Sequence, residues 1–225
     1  MTTLGRALLI ARKDLRLEFR TRDIVTSAGL FALLVVVTAS FAFPTWGRGR
    51  EGVAAGVLWM AFLFAGLLGI GRSFAIEKED ACMDGLLLSP AGSEAIFLGK
   101  LLATLAFTFV IELVTLPIFV VLLQLSPDGG TLVLILTALL GTLGLAAVGS
   151  LFAAMAVNTK TREVILPLLV LPVAVPLLIA SVEATTAALG GHDLSSAQPW
   201  LLVMAAYDAV FLLVGMTTFR FVTEA

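Results

Sequence analysis

The sequence predicts an all-α membrane protein: six transmembrane helices preceded by an N-terminal amphipathic helix at the membrane interface. Two observations predict that class. Of 225 residues, 60% are hydrophobic and only 13% are charged, whereas a soluble domain carries about 25% charged residues. A water-facing surface cannot be clothed with so few polar groups, and the mean hydropathy of +1.07 agrees. The second observation is that six stretches are long enough to cross about 30 Å of hydrocarbon at 1.5 Å per residue. Their apolar runs are continuous and do not alternate, which selects helices over a barrel.

Taken in order, the expected spans are 24–43, 53–71, 101–123, 131–157, 164–182 and 200–219. The first, second, fourth and fifth carry no charge; the third contains Glu112 and the sixth Asp208. Residues 1–23 form a cytoplasmic lead-in helix and residues 24–221 one six-helix transmembrane domain. No cleavable leader is expected, because the first apolar run begins only at Ile24 and is longer than the roughly 7–15 residues of a signal h-region. Orientation follows from lysine and arginine placement. Of the 14 basic residues, only Arg48 and Arg50 fall in a loop on the far side. The remaining 12 precede the first span, lie between spans two and three or four and five, or follow the sixth. Both termini are therefore expected in the cytoplasm.

Composition also excludes several function classes. No basic cluster is interleaved with aromatics, so a nucleic-acid partner is not expected. The single Cys82 cannot form an intrachain disulfide, and with the single His192 it cannot build a Cys/His zinc site. The chain has no P-loop, HExxH or GxSxG motif, so it is not read as an enzyme and any ATP must be hydrolysed on another chain.

Within residues 1–23, Leu4, Leu8, Ala11, Leu15 and Phe19 fall on one helical face, while Arg12, Arg16 and Arg20 share another and Lys13 adds a further charge. Such a helix suits the cytoplasmic interface, with its cations near anionic headgroups; a generic topology signal is the alternative. The most distinctive stretch is the connection between spans two and three. Glu77, Glu79, Asp80 and Asp84 make an acidic patch, followed by the apolar row Leu86, Leu87 and Leu88 outside the membrane. An exposed apolar cluster rimmed by charge marks a protein contact, although leucines folded back on the bundle fit equally. Ser89–Pro90 then suits a helix start, with serine as cap and proline at the first helical position.

Inside the membrane, Glu112 and Asp208 must face the bundle or a partner, because a charged side chain there costs at least a few kcal/mol. A substrate or ion path is one reading. Interhelical hydrogen bonding with Thr108, Thr115 or Tyr207 is the favoured one, since no basic or histidine partner accompanies the acids. Pro167, Pro172 and Pro176 are expected to kink or partly unwind the fifth span. The loop Glu183–Pro199 is rich in small residues and could re-enter the membrane. Its His192 is a residue type that ligates heme iron, with a solvated loop histidine as the plainer alternative. Small residues four apart, Ala65/Gly69 and Ser150/Ala154, allow close helix packing.

With these features in place, the chain resembles the heme exporter protein B (CcmB) family, membrane subunits of ABC-2-type complexes in cytochrome c maturation. The matching residues are Ala11-Arg12-Lys13-Asp14-Leu15-Arg16, Glu18-Phe19-Arg20, Phe74, Glu77-Lys78-Glu79, Asp84 to Pro90, Phe97-Leu98-Gly99-Lys100 and Glu112 to Pro117. Where some members have a Gln/Glu-rich loop, this chain reads Ala81-Cys82-Met83-Asp84-Gly85. The resemblance implies a permease subunit in the bacterial inner membrane for heme delivery or export. Heme would be the transported species and ATP would be bound by a CcmA-like ATPase that contacts the 77–90 loop. Further implied partners are a CcmC-like heme-handling subunit, a small accessory subunit, a CcmE-like heme chaperone and a second copy of this chain. No permanently bound heme is expected, because no paired axial ligands lie in the membrane. A permease for a lipid, glycan or drug, and a non-transporting scaffold that couples the ATPase to chaperone release, are the alternatives.

Overall fold

The computed structural model describes residues 2–42, 50–79, 92–125, 130–156, 159, 161–191 and 194–223. Among these residues the chain forms seven helices and no strand: α1 Thr3–Thr21, α2 Asp23–Ala42, α3 Arg50–Glu79, α4 Ser93–Leu122, α5 Thr131–Ala156, α6 Arg162–Leu189 and α7 Leu194–Thr223. Helices α2 to α7 are each long and apolar enough to cross a membrane. The expected spans lie inside these helices to within a residue at either end.

Helix ends depart from the expected spans, and composition explains why. The apolar run of α3 stops near Gly71, yet the helix continues to Glu79 through strong helix formers such as Ala75 and Glu77. Helix α4 likewise starts eight residues before Leu101, at Ser93, with Gly92 at the cap at a positive φ of 78°. The expected start at Ser89–Pro90 lies outside the described residues. The loop expected over Glu183–Pro199 is mostly helix. Helix α6 runs on through Glu183-Ala-Thr-Thr-Ala-Ala-Leu189, and α7 starts at Leu194. Ala184 and Ala188 are fully buried, so the described part of this segment packs as a helix. Helix α6 is also continuous through Pro167, Pro172 and Pro176, so the expected unwinding does not occur. Tyr207 of α7 donates its hydroxyl to the Val173 carbonyl, 3.0 Å away, between the last two prolines.

Helix α5 is the hub. It packs against α3, α4, α6 and α7, whereas α2 rests mainly on α3 and α4. In lipid no hydrophobic force drives helices together, so close van der Waals packing between small residues takes its place. The sequence of α5 supplies them. A Cβ at Gly141 would run into the Trp59 ring of α3, and one at Gly144 would stand only 2.5 Å from Asp208 of α7. Trp59 also donates its indole N–H to Thr185 of α6 at 2.8 Å, which ties α3, α5 and α6 at one level. Ala65, with Ala28, Ala32, Ala61 and Ile111, forms a small-residue seam where α2 meets α3 and α4. Gly69 lies against Phe107 and Ile24, so the expected close packing at Ala65/Gly69 is realised.

Introducing a side chain at Gly141 should force the Trp59 ring out of its site. Gly141→Val is expected to cost about 1–3 kcal/mol, the usual penalty of overpacking, measured as a lowered unfolding midpoint of the purified protein in detergent.

Candidate functional site: the junction of the N-terminal helix with the bundle

Helix α1 is docked on the start of α4, and the contact is built from residue types that the sequence places on one flank. Ala7, Ile10 and Ala11 are buried there, together with the Glu18 carboxylate and most of Asp14. Gly99 makes the approach possible, because a Cβ at that position would lie 2.7 Å from the Ile10 Cβ and 3.0 Å from the Ala7 carbonyl. The next residue, Lys100, is 1% exposed and reaches Asp14 of α1, with Nζ 3.0 Å from Oδ2. Ser73 Oγ lies 3.4 Å from the same nitrogen. The Phe74 ring centroid is 5.0 Å away, a cation–π contact. One buried ammonium thus joins α1, α3 and α4. Phe97, three residues earlier on α4, is fully buried and turns the other way, against Gly215 and Phe219 of α7.

Glu18 makes the second joint. Its Oε1 accepts from the Val25 N–H at 2.8 Å and its Oε2 from the Ile24 N–H at 3.2 Å. These are N–H groups of the first turn of α2 that have no partner within their own helix, and an anion is favoured at that end of the helix dipole. Between the two helices Arg22 adopts a left-handed conformation (φ 56°). Asp23, at the start of α2, pairs with Arg72 of α3, whose Nε lies 2.8 Å from Oδ2. The elbow from α1 to α2 is therefore held by Glu18 from within and by Arg72 from α3.

The cations of α1, Arg12, Lys13, Arg16 and Arg20, are exposed. Leu4, Leu8 and Phe19 are also exposed. The buried flank is thus rotated from the apolar line read in the sequence: Ala11 is shared, but Leu4, Leu8 and Phe19 face outward. Glu77 and Glu79 belong to the last turn of α3, and their side chains lie outside the described residues, as do Asp80, Asp84, Leu86, Leu87, Leu88, Ser89, Pro90 and His192.

Deeper in the bundle, Glu112 of α4 is 3% exposed and accepts a hydrogen bond from the Thr142 hydroxyl of α5. Its partner is therefore neither Thr108 nor Thr115 nor Tyr207. The Tyr207 hydroxyl is occupied with Val173, and Thr115 Oγ1 has no hydrogen-bond partner among the described residues. Asp208 of α7 is buried over Gly144 of α5, and neither of its oxygens has a hydrogen-bond partner among the described residues. Both acids face the hub helix and not lipid, as their cost in hydrocarbon requires. Among the described residues no three His, Cys, Asp or Glu side chains come together in a way that could hold a metal ion.

Three residues that matter here escaped the sequence reading. Lys100 entered as a topology charge and, like Glu18, as part of a block matching the family, with no structural role assigned to either, and Thr142 not at all. The available signal was the position of Asp14 and Glu18 at helical spacing from Ala7, Ile10 and Ala11, on the side away from the arginines.

Six helices long and apolar enough to cross a membrane, four of the others packed on the small-residue hub α5, with an amphipathic helix pinned to one end, make this a multi-pass membrane protein. The comparisons with known proteins are specific. The family model for CcmB protein matches residues 6–222, and the chain belongs to that family. Heme exporter protein B of Rhodobacter capsulatus is 38% identical over 178 residues, covering 79% of this chain and 80% of that protein. Heme exporter protein B of Paracoccus denitrificans is 35% identical, covering 84% and 85%. The Pseudomonas aeruginosa protein of the same name is 32% identical, covering 89% of each.

Breaking a buried ion pair costs up to about 3–5 kcal/mol, moderated here for Asp14 by Lys13, 3.2 Å away. Lys100→Ala and Asp14→Ala should each lower detergent stability by that order, whereas the double change Asp14→Leu with Lys100→Met should recover most of it. Glu112→Gln keeps an acceptor for Thr142 and should lower stability less than Glu112→Lys, compared by the yield of folded protein after solubilisation.

Proposed function

We propose that this chain is the membrane permease subunit of an ABC transporter complex that delivers or exports heme in c-type cytochrome biogenesis. A separate subunit hydrolyses the ATP. Membership of the CcmB protein family across residues 6–222, with relatives that bear the name heme exporter protein B, carries this reading. The residue inventory supports the division of labour, since the sequence has no nucleotide-binding loop. The basic-residue asymmetry supports placement in the bacterial inner membrane with both termini in the cytoplasm.

The coupling contact is read at Glu77, Glu79, Asp80, Asp84, Leu86, Leu87, Leu88, Ser89 and Pro90. The extension of α3 to Glu79, beyond its apolar run, supports this, because it carries the helix toward the acidic patch as a rigid rod. A push delivered there by a CcmA-like ATPase would reach Ser73 and Phe74 on α3 and Lys100 on α4, and through Lys100 it would reach Asp14 on α1. The exposed apolar flank of α1 beside its exposed Arg12, Lys13, Arg16 and Arg20 supports a helix seated in the leaflet surface. Glu112 and Asp208 act as interhelical contacts with the hub, supported by their burial against α5. The heme-handling CcmC-like subunit, the small accessory subunit and the CcmE-like chaperone complete the assembly, with heme as its substrate and a second copy of this chain paired with the two ATPase subunits.

The test is affinity purification of the tagged chain from native bacterial membranes, with partners identified by mass spectrometry. Joint recovery of an ABC ATPase and a heme-handling subunit is the expected outcome. An ATPase accompanied by glycan or lipid enzymes would overturn the heme assignment. Charge reversal at Glu77, Glu79 and Asp80 together should reduce ATPase recovery about tenfold or more, as loss of several interface charges does, with the level of membrane-inserted chain unchanged.

A further inference from the structure

A groove of about 590 Å³ opens between α3 and α6 at the end of the bundle where α5 finishes. That volume lies within the range of small-ligand sites, about 300–1,000 Å³. Its wall is apolar, with Phe64, Phe74 and Leu166 among the lining residues, and Ala153 and Ala156 of α5 form part of it. Leu68 and Arg72, one turn apart on α3, line the groove and are exposed, so it opens sideways, toward the surrounding bilayer. Glu163 stands exposed on the opposite rim, one turn before Pro167 of α6.

The two rims differ in hydrogen-bonding character. Arg72 uses Nε and Nη2 on Asp23. A guanidinium carries five N–H donors, so its Nη1 edge remains to grip an anionic oxygen. Opposite it, Glu163 offers a carboxylate. Glu163 also offers its backbone carbonyl, which loses its i+4 donor because Pro167 has no N–H. One rim suits a phosphate and the other an ammonium, with an apolar slot between them at the level where the hydrocarbon ends. A porphyrin fits less well: Glu163 would repel its carboxylates, and among the described residues none lining the groove is a His, Cys or Met that could ligate iron.

We propose that this groove is a binding site for a zwitterionic ethanolamine-type phospholipid from the surrounding leaflet. One acyl chain lies in the slot, the phosphate on Arg72 and the ammonium on Glu163. The inference depends only on the chain being a membrane protein and is independent of the transported substrate. Lipid held there fills the gap between α6 and the end of α3, the helix that carries Arg72 of the elbow and leads into the proposed ATPase contact.

The test uses the full chain in nanodiscs of equal phosphatidylethanolamine and phosphatidylglycerol, read by native mass spectrometry after release from the disc. Retention of one phosphatidylethanolamine per chain, about fivefold over phosphatidylglycerol, is expected, one charge near a membrane surface being worth roughly that factor. Glu163→Lys, a surface change, should reverse the preference toward phosphatidylglycerol, an outcome that misfolding cannot produce. Ala153→Leu should narrow the slot and abolish retention of either lipid. Retention without headgroup preference, the same preference in Glu163→Lys as in the unaltered chain, or no retained lipid would each overturn the proposal.

Discussion

The structure hangs on the ion pair between Asp14 and Lys100. A buried pair of this kind adds little net stability, because desolvation offsets much of its Coulomb attraction, but it strongly penalises any geometry that separates the partners. It therefore acts as a locator. Lys100 fixes where α1 crosses α4, with Gly99 supplying the close approach. Ser73 and Phe74 bind the end of α3 into the same point. Glu18 then fixes how the chain turns from α1 into α2. The two acids and the lysine all belong to the short blocks that carry the family resemblance, so the most recognisable parts of the sequence are those that assemble this joint.

Away from the joint, the membrane domain is organised by size more than by polarity. Helix α5 has glycine where Trp59, Asp208 and Ile70 of its neighbours come close. The two intramembrane acids are turned onto this helix from α4 and α7, one through Thr142 and the other over Gly144. In the family to which this chain belongs, relatives carry the name heme exporter protein B.

The spans were legible in the sequence because an apolar run of about 20 residues has few other uses. Their ends were not. The last turns of α3 and α6 and the first turns of α4 and α7 are built from alanine, threonine and charged residues that serve equally in a loop, and only tertiary packing decides between the two. The flank by which α1 docks on the bundle is not legible in the sequence, for a physical reason. In water the most apolar line of a helix is the buried one, whereas at a membrane Leu4, Leu8 and Phe19 are satisfied by facing outward, which frees alanines and small gaps for the protein contact. Partners such as Lys100 for Asp14 and Thr142 for Glu112 were out of reach because each lies on another helix, and spacing along one helix says nothing about its neighbour.

Because Lys100 holds Asp14, α1 and α4 are expected to move as one body. Spin labels at the exposed positions Arg12 and Glu94, in a Cys82→Ser background, report the distance between the two helices by pulsed electron paramagnetic resonance in the purified complex. A single narrow distance distribution that does not change on ATP addition, and that broadens in Lys100→Ala, is the predicted result. A distribution that shifts with ATP, or one that stays narrow when Lys100 is replaced, would contradict it.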